Sequence, residues 1–340
     1  MKEFLRKKNI IFSAKRYGID ALGAMAQGLF ASLLIGTIIS TLGEQLGIGI
    51  LVTVGGYAKG ATGAAMAISI GVALQCPPLV LFSLAAVGMA ANELGGAGGP
   101  LAVLVVTIFA AEFGKLVSKE TKIDIIVTPF VTICVGVLLS LGCAPAIGAA
   151  ASTVGTAIMW ATELQPFFMG IIVSVIVGIA LTLPISSAAI CAALSLTGLA
   201  GGAAVAGCCA QMVGFAVMSF KENKWGGLFA QGIGTSMLQM GNIVRNPRIW
   251  LPPTLASAIT GPVATCIFHL KMNGAAVASG MGTCGLVGPI GIYTAMGGGS
   301  NMWIGILMVC FVLPAVLSWV FGEILRKMGW IKDGDLKLDL

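Results

Sequence analysis

The chain has 340 residues, of which 57% are hydrophobic and only 9% are charged, with a formal net charge of +6 and a mean hydropathy of +1.00. Soluble domains carry about 25% charged residues, so this composition excludes a soluble enzyme or binding module and predicts an integral membrane protein. The 48 glycines are typical of tightly packed transmembrane helices, because small residues let helix backbones approach closely. The expected fold class is all-α, a polytopic transmembrane helical bundle.

The first predicted element is a basic interfacial segment at residues 1–18. Under the positive-inside rule its charges predict a cytoplasmic N-terminus. They lack the aromatic interleaving or folded basic domain of a nucleic-acid site, so nucleic acid is not an expected partner. No clear cleavage site follows them, so a removable signal peptide is not predicted. The basic residues are Lys2, Arg6, Lys7, Lys8, Lys15 and Arg16.

A transmembrane domain of about ten spans is predicted at residues 19–325. Two short apolar pieces within it cannot cross a hydrocarbon core of about 30 Å as untilted helices, so they form one broken span or a re-entrant pair. Proline removes a backbone donor and restricts the residue before it, so "QCPP" and "LTLPISSAA" are expected breaks. The predicted pieces are 45–57 and 61–75, the breaks are 75–78 and 181–189, and the other apolar segments are 19–42, 79–92, 101–117, 124–143, 145–162, 167–183, a Gly/Ala run ending at Phe220, 226–241, 250–270, 275–297 and 302–325.

Short lysine-rich connections set the predicted orientation. "KLVSKETK" at 115–122 and "KENK" at 221–224 are expected cytoplasmic loops, and residues 326–340 are an expected cytoplasmic tail. Proline followed by an apolar run and a glycine cluster recurs in both halves of the chain. This recurrence predicts internal repeats at about 45–143 and 167–270, as in many transporters.

The densest polar stretch within the apolar C-terminal half is "QMGNIVRNPRIWLPP", residues 239–253. Its amides donate and accept hydrogen bonds, and its guanidinium groups suit carboxylates, phosphates or clustered hydroxyls. Its three prolines block helix continuity. The stretch is therefore a candidate substrate site formed by Gln239, Asn242, Arg245, Asn246 and Arg248.

A simpler interpretation of the same stretch stays open. It could be a juxtamembrane loop, with the arginines on lipid phosphate and Trp250 in the aromatic belt. Its side of the membrane is also open. If 226–241 spans, the arginines lie outside; if 226–241 is a re-entrant hairpin, they return to the cytoplasmic side. Both arrangements place broken backbone at membrane depth, which requires surrounding protein or a wet cavity.

Five further polar residues are candidates for substrate binding. Gln75, Ser186 and Ser187 flank the proline breaks, where half-helix ends expose backbone groups to a ligand. Asn92 and Glu93 lie in the glycine-rich turn "ANELGGAGGP", where they could bind a solute or cap a helix.

Two ionisable residues are candidates for proton or ion coupling. Glu112 lies three residues before Lys115, as a solvated helix-end pair or a buried ion carrier would. His269, the only histidine, lies at the end of a predicted span, as an interfacial residue or a proton relay would. No catalytic triad, phosphate loop or zinc motif appears, and the nine cysteines lack metal-ligand spacing. No catalytic residue, metal or cofactor is therefore predicted.

Two stretches resemble a known family of membrane proteins. "GTSMLQMGNIVRNPRIWLPPTLASAITGPVATCIF" at 234–268 and "ASGMGTCGLVGPIGIYTAMG" at 278–297 resemble the phosphotransferase-system EIIC-like family that includes perfringolysin-regulator (PfoR-like) proteins. The resemblance extends over about 15–325. It implies a bacterial cytoplasmic-membrane protein, a homodimer, that acts as a sugar permease component or as a membrane regulator of toxin expression.

The resemblance also implies a separate IIB-like phosphocarrier as a partner if the sugar is phosphorylated, because these 340 residues carry no IIA- or IIB-like domain. The Gly-Ile-Thr-Glu type of motif found in glucose-type permeases is missing, which leaves sugar phosphorylation open. The expected function is transport of a small polar solute, a carbohydrate, by alternating access. Two alternatives are a ligand-sensing regulator without net transport and an organic-anion carrier that uses Arg245 and Arg248.

Overall fold

The computed structural model describes residues 2–272, 276–297 and 299–338. The described residues form α-helices joined by short 3-10 and π-helical turns and contain no β-strand, so the all-α class is confirmed. One isolated antiparallel bridge pairs Gly198 with Met272. The first residue of the predicted segment 275–297 lies outside the described residues.

Seventeen α-helices are present in the described residues. They are α1 Lys2–Lys7, α2 Ala21–Leu29, α3 Ile35–Leu46, α4 Gly49–Gly60, α5 Thr62–Ala73, α6 Pro78–Gly95, α7 Gly99–Val117, α8 Asp124–Thr162, α9 Pro166–Thr182, α10 Ser187–Ala193, α11 Gly198–Met218, α12 Phe220–Phe229, α13 Met240–Arg245, α14 Leu251–Pro262, α15 Val287–Met296, α16 Ser300–Leu307 and α17 Leu313–Lys327.

Five helical stretches among the described residues are long and apolar enough to cross a membrane. Three shorter apolar helices accompany them, so the chain is an integral membrane protein. The five are Arg16–Leu46, Pro78–Val117, Asp124–Thr162, Gly198–Met218 and Ser300–Lys327, and the shorter ones are Thr62–Ala73, Pro166–Thr182 and Cys284–Met296.

Both predicted proline breaks are confirmed. Helix α5 ends at Ala73 and α6 begins at Pro78, while α9 ends at Thr182 and α10 begins at Ser187. The predicted separation of 124–143 from 145–162 is wrong, because α8 continues through Pro129 and Pro145 over 39 residues. A proline removes one helical hydrogen bond and does not end a helix by itself. In an apolar setting the remaining helical bonds are the means of satisfying the backbone.

The chain divides into two compact units, Met1–Ala150 and Ala151–Leu340, with the boundary inside α8. The boundary falls between the two predicted repeats at 45–143 and 167–270, whose similarity stays a prediction. In the first unit α2 packs on α5, α5 on α6 and α6 on α7. Gly63 and Gly88 lie where α5 and α6 cross, and a Cβ on either residue would collide with the other helix's backbone.

Helix α11 forms the centre of the second unit and packs against α9, α14 and α17. Of the 18-residue stretch of α11 that could cross a membrane, 94% is buried within the protein. Its mean hydropathy of 1.6 is the lowest among the five candidate spans. A Cβ on Gly207 of α11 would collide with the carbonyl oxygen of Ser174 on α9. A Cβ on Gly261 of α14 would meet Gly170 of α9 in the same way. Backbone-to-backbone contact therefore joins these three helices.

We expect Gly207→Ala to lower the free energy of unfolding by about 1–3 kcal/mol, because an added methyl group in a closely packed core forces backbone shifts. The measurement is thermal unfolding in detergent. Gly142→Ala is the matched control, since a Cβ at Gly142 on α8 meets nothing within 4 Å. There, alanine should raise stability by at most about 1 kcal/mol through its higher helix propensity. Equal effects of the two changes would contradict the close approach at Gly207.

Candidate functional site

The second unit contains a chain segment in which helices are repeatedly broken. After α12, a π-helical turn ends at Gly234 and Thr235 is extended, with φ −158° and ψ 145°. Short 3-10 and α-helical pieces then lead through Asn246, also extended, to α14. Residues 234–240 are all buried. The predicted segment 226–241 is thus not a single spanning helix, and its irregular part at 234–240 is enclosed by protein, a condition that broken backbone must meet within a membrane.

Side chains satisfy the backbone at the two extended residues and thereby fix where the short helices begin. The Thr235 hydroxyl accepts a hydrogen bond from the backbone N–H of Met237 at 3.1 Å. The side-chain oxygen of Asn246 accepts one from the N–H of Arg248 at 3.3 Å. Threonine and asparagine are preferred at such N-cap positions for this reason.

Gln211 of α11 is the centre of a group that we call the inner polar cluster: Thr182, Gln211, Ser236, Trp250 and Thr254. The Gln211 amide oxygen accepts hydrogen bonds from Trp250 Nε1 at 3.0 Å and from the Thr182 hydroxyl at 3.4 Å. Its nitrogen donates to Thr254 Oγ1 at 3.2 Å, and the Thr182 and Ser236 hydroxyls lie 2.7 Å apart. Thr182, Gln211 and Ser236 are fully buried. The cluster therefore places amide, indole and hydroxyl groups together inside an apolar helical unit.

A second group of amides, the amide row, consists of Gln231, Gln239 and Asn242. Gln239 Nε2 donates to Gln231 Oε1 at 2.9 Å, and Asn242 Nδ2 donates to Gln239 Oε1 at 2.8 Å. Gln231 Nε2 donates in turn to the Ser219 hydroxyl at 2.8 Å. Gln231 and Gln239 are fully buried and Asn242 is 6% exposed. Each amide thus fixes the orientation of the next.

The carboxy-terminal tail, residues 328–338, lies against the amide row. Two amides of the row and two further asparagine side chains donate hydrogen bonds to backbone carbonyls of the tail. The pairs are Gln239 Nε2 to Leu336 O at 3.0 Å, Asn242 Nδ2 to Lys337 O at 2.8 Å, Asn223 Nδ2 to Leu336 O at 2.8 Å and Asn246 Nδ2 to Trp330 O at 3.0 Å.

The two arginines of the predicted site lie apart from these buried groups. Arg245 and Arg248 are both exposed. The Arg248 guanidinium lies 5.2 Å from the centre of the Trp330 ring, within the range of a cation–π interaction. The structure thus brings together Gln239 and Asn242, places Asn246 on the tail, and leaves the arginines at the surface.

An exposed ion pair also holds the tail, and it gives a prediction about pH. Lys221 Nζ lies 2.8 Å from Asp333 Oδ1. This hydrogen bond holds the pKa of Asp333 below its ordinary 3.8 and the pKa of Lys221 above its ordinary 10.5. The aspartate contribution to docking is present above pH 3.8 and is lost as pH falls through the lowered pKa. The lysine contribution is present below pH 10.5 and is lost as pH rises through the raised pKa.

We therefore expect docking of the tail to be constant from about pH 5 to 9. The measurement is hydrogen–deuterium exchange of residues 328–338, corrected for the intrinsic pH dependence of amide exchange. Release of the tail within this range would show that another titrating group controls the contact. Lys221→Met should leave the pH profile flat and raise exchange throughout.

Two of the other predicted substrate ligands, Ser186 and Ser187, have local structural roles. The Ser186 hydroxyl caps α10 by accepting a hydrogen bond from the N–H of Ala189 at 3.1 Å, and the buried Ser187 hydroxyl donates to the Gly280 carbonyl at 2.7 Å. Asn92 is half-buried near the end of α6, and Glu93 next to it is exposed.

Gln75, the remaining predicted ligand, lies at the confirmed break before α6. It adopts a positive φ of 54°, and its side-chain oxygen accepts a hydrogen bond from Asn9 Nδ2 at 2.7 Å. It lines a cavity of about 400 Å³ in the first unit, together with Lys7, Lys8 and Lys119. This cavity belongs to the first unit, whereas the inner polar cluster and the amide row belong to the second.

The first unit also contains a buried ion pair. Lys115 Nζ lies 2.8 Å from Glu112 Oε2, and the two side chains are 1% and 11% exposed. Tyr17 donates to the other carboxylate oxygen at 3.0 Å, and Lys115 also donates to the carbonyls of Asn9 and Leu74 at 3.1 and 3.3 Å. The pair is buried, so the solvated helix end is wrong, and the role of an ion carrier stays a prediction. Ionisable groups buried in membrane domains are candidates for functional sites.

His269, the other candidate for ion coupling, belongs to neither the inner polar cluster nor the amide row. It is exposed, with a positive φ of 48°, in the turn that follows the π-helical end of α14. Within the described part of the chain, no three histidine, cysteine, aspartate or glutamate side chains are grouped as a metal site requires.

Sequence reasoning missed the residues at the centre of the inner polar cluster. One signal was present in the sequence, since Gln211 is the only amide side chain in the 21 residues of α11. A lone amide in an apolar span is expensive to bury without partners and therefore indicates a polar interior. Thr182, Ser236 and Thr254 carried no comparable signal, because serine and threonine in such helices often bond their own backbone.

The apolar helices, the irregular buried segment and the polar interior define a polytopic integral membrane protein, the class to which permeases belong. A comparison with protein families narrows this class. The family described as "Phosphotransferase system, EIIC" matches residues 19–338, nearly the whole chain, and the chain belongs to that family. It is thus a membrane component of a sugar transporter. No curated protein and no solved structure is similar to it.

Proposed function

We propose that the protein is the permease of a bacterial cytoplasmic membrane that carries a sugar by alternating access, with both termini in the cytoplasm. The observation that carries this proposal is the inner polar cluster around Gln211, which is buried in the second unit beside broken helices. In many transporters the substrate site lies where helices are discontinuous.

The chemistry of the inner polar cluster suits a carbohydrate. A sugar hydroxyl is both a donor and an acceptor, and the cluster offers an amide, an indole N–H and three hydroxyls within one set of hydrogen bonds. None of its members is charged, which suits a neutral solute. The partly buried ring of Trp250 supplies the apolar face against which a sugar ring can pack.

We include the amide row in this site, because Gln239 and Ser236 of the inner polar cluster belong to the same short 3-10 helix. Gln239 and Asn242 now donate to the tail and could donate equally to sugar hydroxyls, because both acceptors are oxygen atoms. Asn246 belongs to the same proposal, while Ser186 and Ser187 do not, since their hydroxyls serve a helix cap and an interhelical contact.

The proposal also covers the coupling of transport to an ion and the phosphorylation of the sugar. We assign ion coupling to Glu112 and Lys115, because their ion pair is the buried pair of charges in the first unit. Phosphorylation of the sugar would require a separate IIB-like phosphocarrier. A homodimer is proposed from the family resemblance.

Counterflow in proteoliposomes tests the proposal. Purified protein is reconstituted, loaded with unlabelled D-glucose, D-fructose, D-mannitol or N-acetyl-D-glucosamine, and exposed to the labelled compound outside. Exchange of at least one of the four is the expected result. Saturable binding without exchange would instead establish the ligand-sensing regulator.

The organic-anion carrier is the remaining alternative, and it predicts a different outcome. It requires exchange of organic acids that is lost in Arg248→Gln while sugars are not exchanged. Arg245 and Arg248 are exposed and lie outside the inner polar cluster, so the geometry favours the sugar permease.

A further inference from the structure

We propose that the carboxy-terminal tail is a removable competitor of the sugar. It occupies the amide row with its own backbone carbonyls, and it leaves when sugar binds there. This inference rests on the proposed function for the identity of the competing ligand. The docking of the tail rests on the hydrogen bonds already described.

The amide side chains bind the tail mostly through its backbone, although Asn246 Nδ2 also donates to the Asp335 carboxylate at 2.8 Å. Three of its carbonyl groups, at Trp330, Leu336 and Lys337, accept hydrogen bonds from asparagine or glutamine side chains. Asn223 contacts the tail twice, because it donates to the Leu336 carbonyl and accepts from the N–H of Leu338 at 2.8 Å. Side-chain amides therefore act toward the tail as a neighbouring peptide strand would.

Two apolar side chains anchor the tail. Leu336 is fully buried and Ile331 is 2% exposed. Between them Lys332, Asp333 and Gly334 are exposed. The attachment thus consists of two apolar contacts, the exposed ion pair of Asp333 with Lys221, the contact of Trp330 with the Arg248 guanidinium, and hydrogen bonds to amides.

When a sugar replaces the tail, the side-chain amides keep their hydrogen bonds. A buried amide that loses its acceptor is destabilised unless another acceptor replaces it. The carbonyls of the tail fill this role now, and sugar hydroxyl oxygens can fill it after the tail leaves. The amide row is therefore satisfied in both states, and the affinity for sugar is reduced by the fraction of time for which the tail is docked.

Hydrogen–deuterium exchange of residues 328–338 in the reconstituted full-length protein tests the docking. Leu336→Ala removes the buried anchor without altering any amide, and we expect it to accelerate exchange in the tail by about tenfold or more. Lys337→Ala is the matched control, since the Lys337 side chain is exposed and the substitution retains the carbonyl that Asn242 binds. Rapid exchange in the wild type, unaffected by either change, would overturn the docking.

Equilibrium binding of the four compounds used in the counterflow assay tests the competition. Leu336→Ala should bind the accepted sugar about tenfold more tightly than the wild type, and that sugar should accelerate exchange in the wild-type tail. Lys337→Ala should match the wild type in both measurements. Asn223→Ala, which weakens docking from a residue outside the amide row, should act in the same direction as Leu336→Ala.

The failure of this inference can be told apart from the failure of the proposed function. If the wild type and Leu336→Ala bind one compound with equal affinity although the tail of the variant exchanges faster, the tail is not a competitor and the permease assignment stands. If neither protein binds any of the four compounds, the sugar permease itself is overturned, and the competition with it.

Discussion

Replacing Gln211 with methionine should reduce sugar counterflow about a hundredfold while the protein remains folded. Methionine matches glutamine in length, but its thioether is only a weak acceptor for the Trp250 and Thr182 hydrogen bonds and cannot donate to Thr254. A hundredfold loss corresponds to about 2.7 kcal/mol of transition-state stabilisation. A loss of this size is expected where a buried donor or acceptor is left without its partner. Initial rates of counterflow give the measurement, and circular dichroism verifies the helix content.

Ser257→Ala provides the control for this experiment. Ser257 of α14 is also fully buried, but its hydroxyl donates to the carbonyls of Gly207 and Pro253 and not to the inner polar cluster. Counterflow by this variant should remain within about threefold of the wild type. Equal losses in both variants would mean that transport depends on helix packing in general. Normal transport by Gln211→Met would remove the inner polar cluster from the sugar path.

Replacing Lys115 with methionine should lower the free energy of unfolding by about 3–5 kcal/mol, because it leaves the Glu112 carboxylate buried without its counter-charge. The double variant Glu112→Gln with Lys115→Met should recover much of this loss, since no isolated charge is then buried. Chemical unfolding in detergent, followed by tryptophan fluorescence, gives both values. The amount by which the effect of the double variant differs from the sum of the two single effects is the interaction energy of the pair.

Lys221→Met is the control for the ion pair of the first unit. Lys221 and Asp333 also lie 2.8 Å apart, but their side chains are 65% and 75% exposed. Exposed pairs contribute little because water screens them and holding them in place costs entropy. The unfolding midpoint should therefore barely change. A large effect at Lys221 together with a small one at Lys115 would contradict the burial of the Glu112–Lys115 pair.

The sequence was sufficient for those features that depend on local chemistry. Low charge and many glycines predicted a helical membrane protein, and prolines predicted the breaks before α6 and after α9, all of which the structure confirms. The amides of 239–253 were also correctly recognised as unusual. Their environment could not be predicted, because the partners of Gln239 and Asn242 are carbonyl groups about 95 residues away in sequence. Backbone carbonyls are the same for every residue type and leave no signature.

The burial of the Glu112–Lys115 ion pair likewise could not be predicted from the sequence. Glu112 and Lys115 are spaced as on any exposed helix end, and only the packing of Tyr17 and Asn9 from the N-terminal segment shows that they are enclosed. The continuity of α8 was missed for a related reason. Proline has a local preference for ending helices, but the surroundings decide whether the helix continues.

The enclosure of α11 by its neighbours has a consequence for how the protein is made. Translation completes α11 well before it reaches α14 and α17, two of the three helices that surround it. Until those helices emerge from the ribosome, the faces of α11 that pack against them and the Gln211 groups that bond Trp250 and Thr254 lack their protein partners, and lipid tails offer no hydrogen bonds in their place. A nascent chain that stalls before α14 should therefore be an early substrate for membrane quality-control proteases.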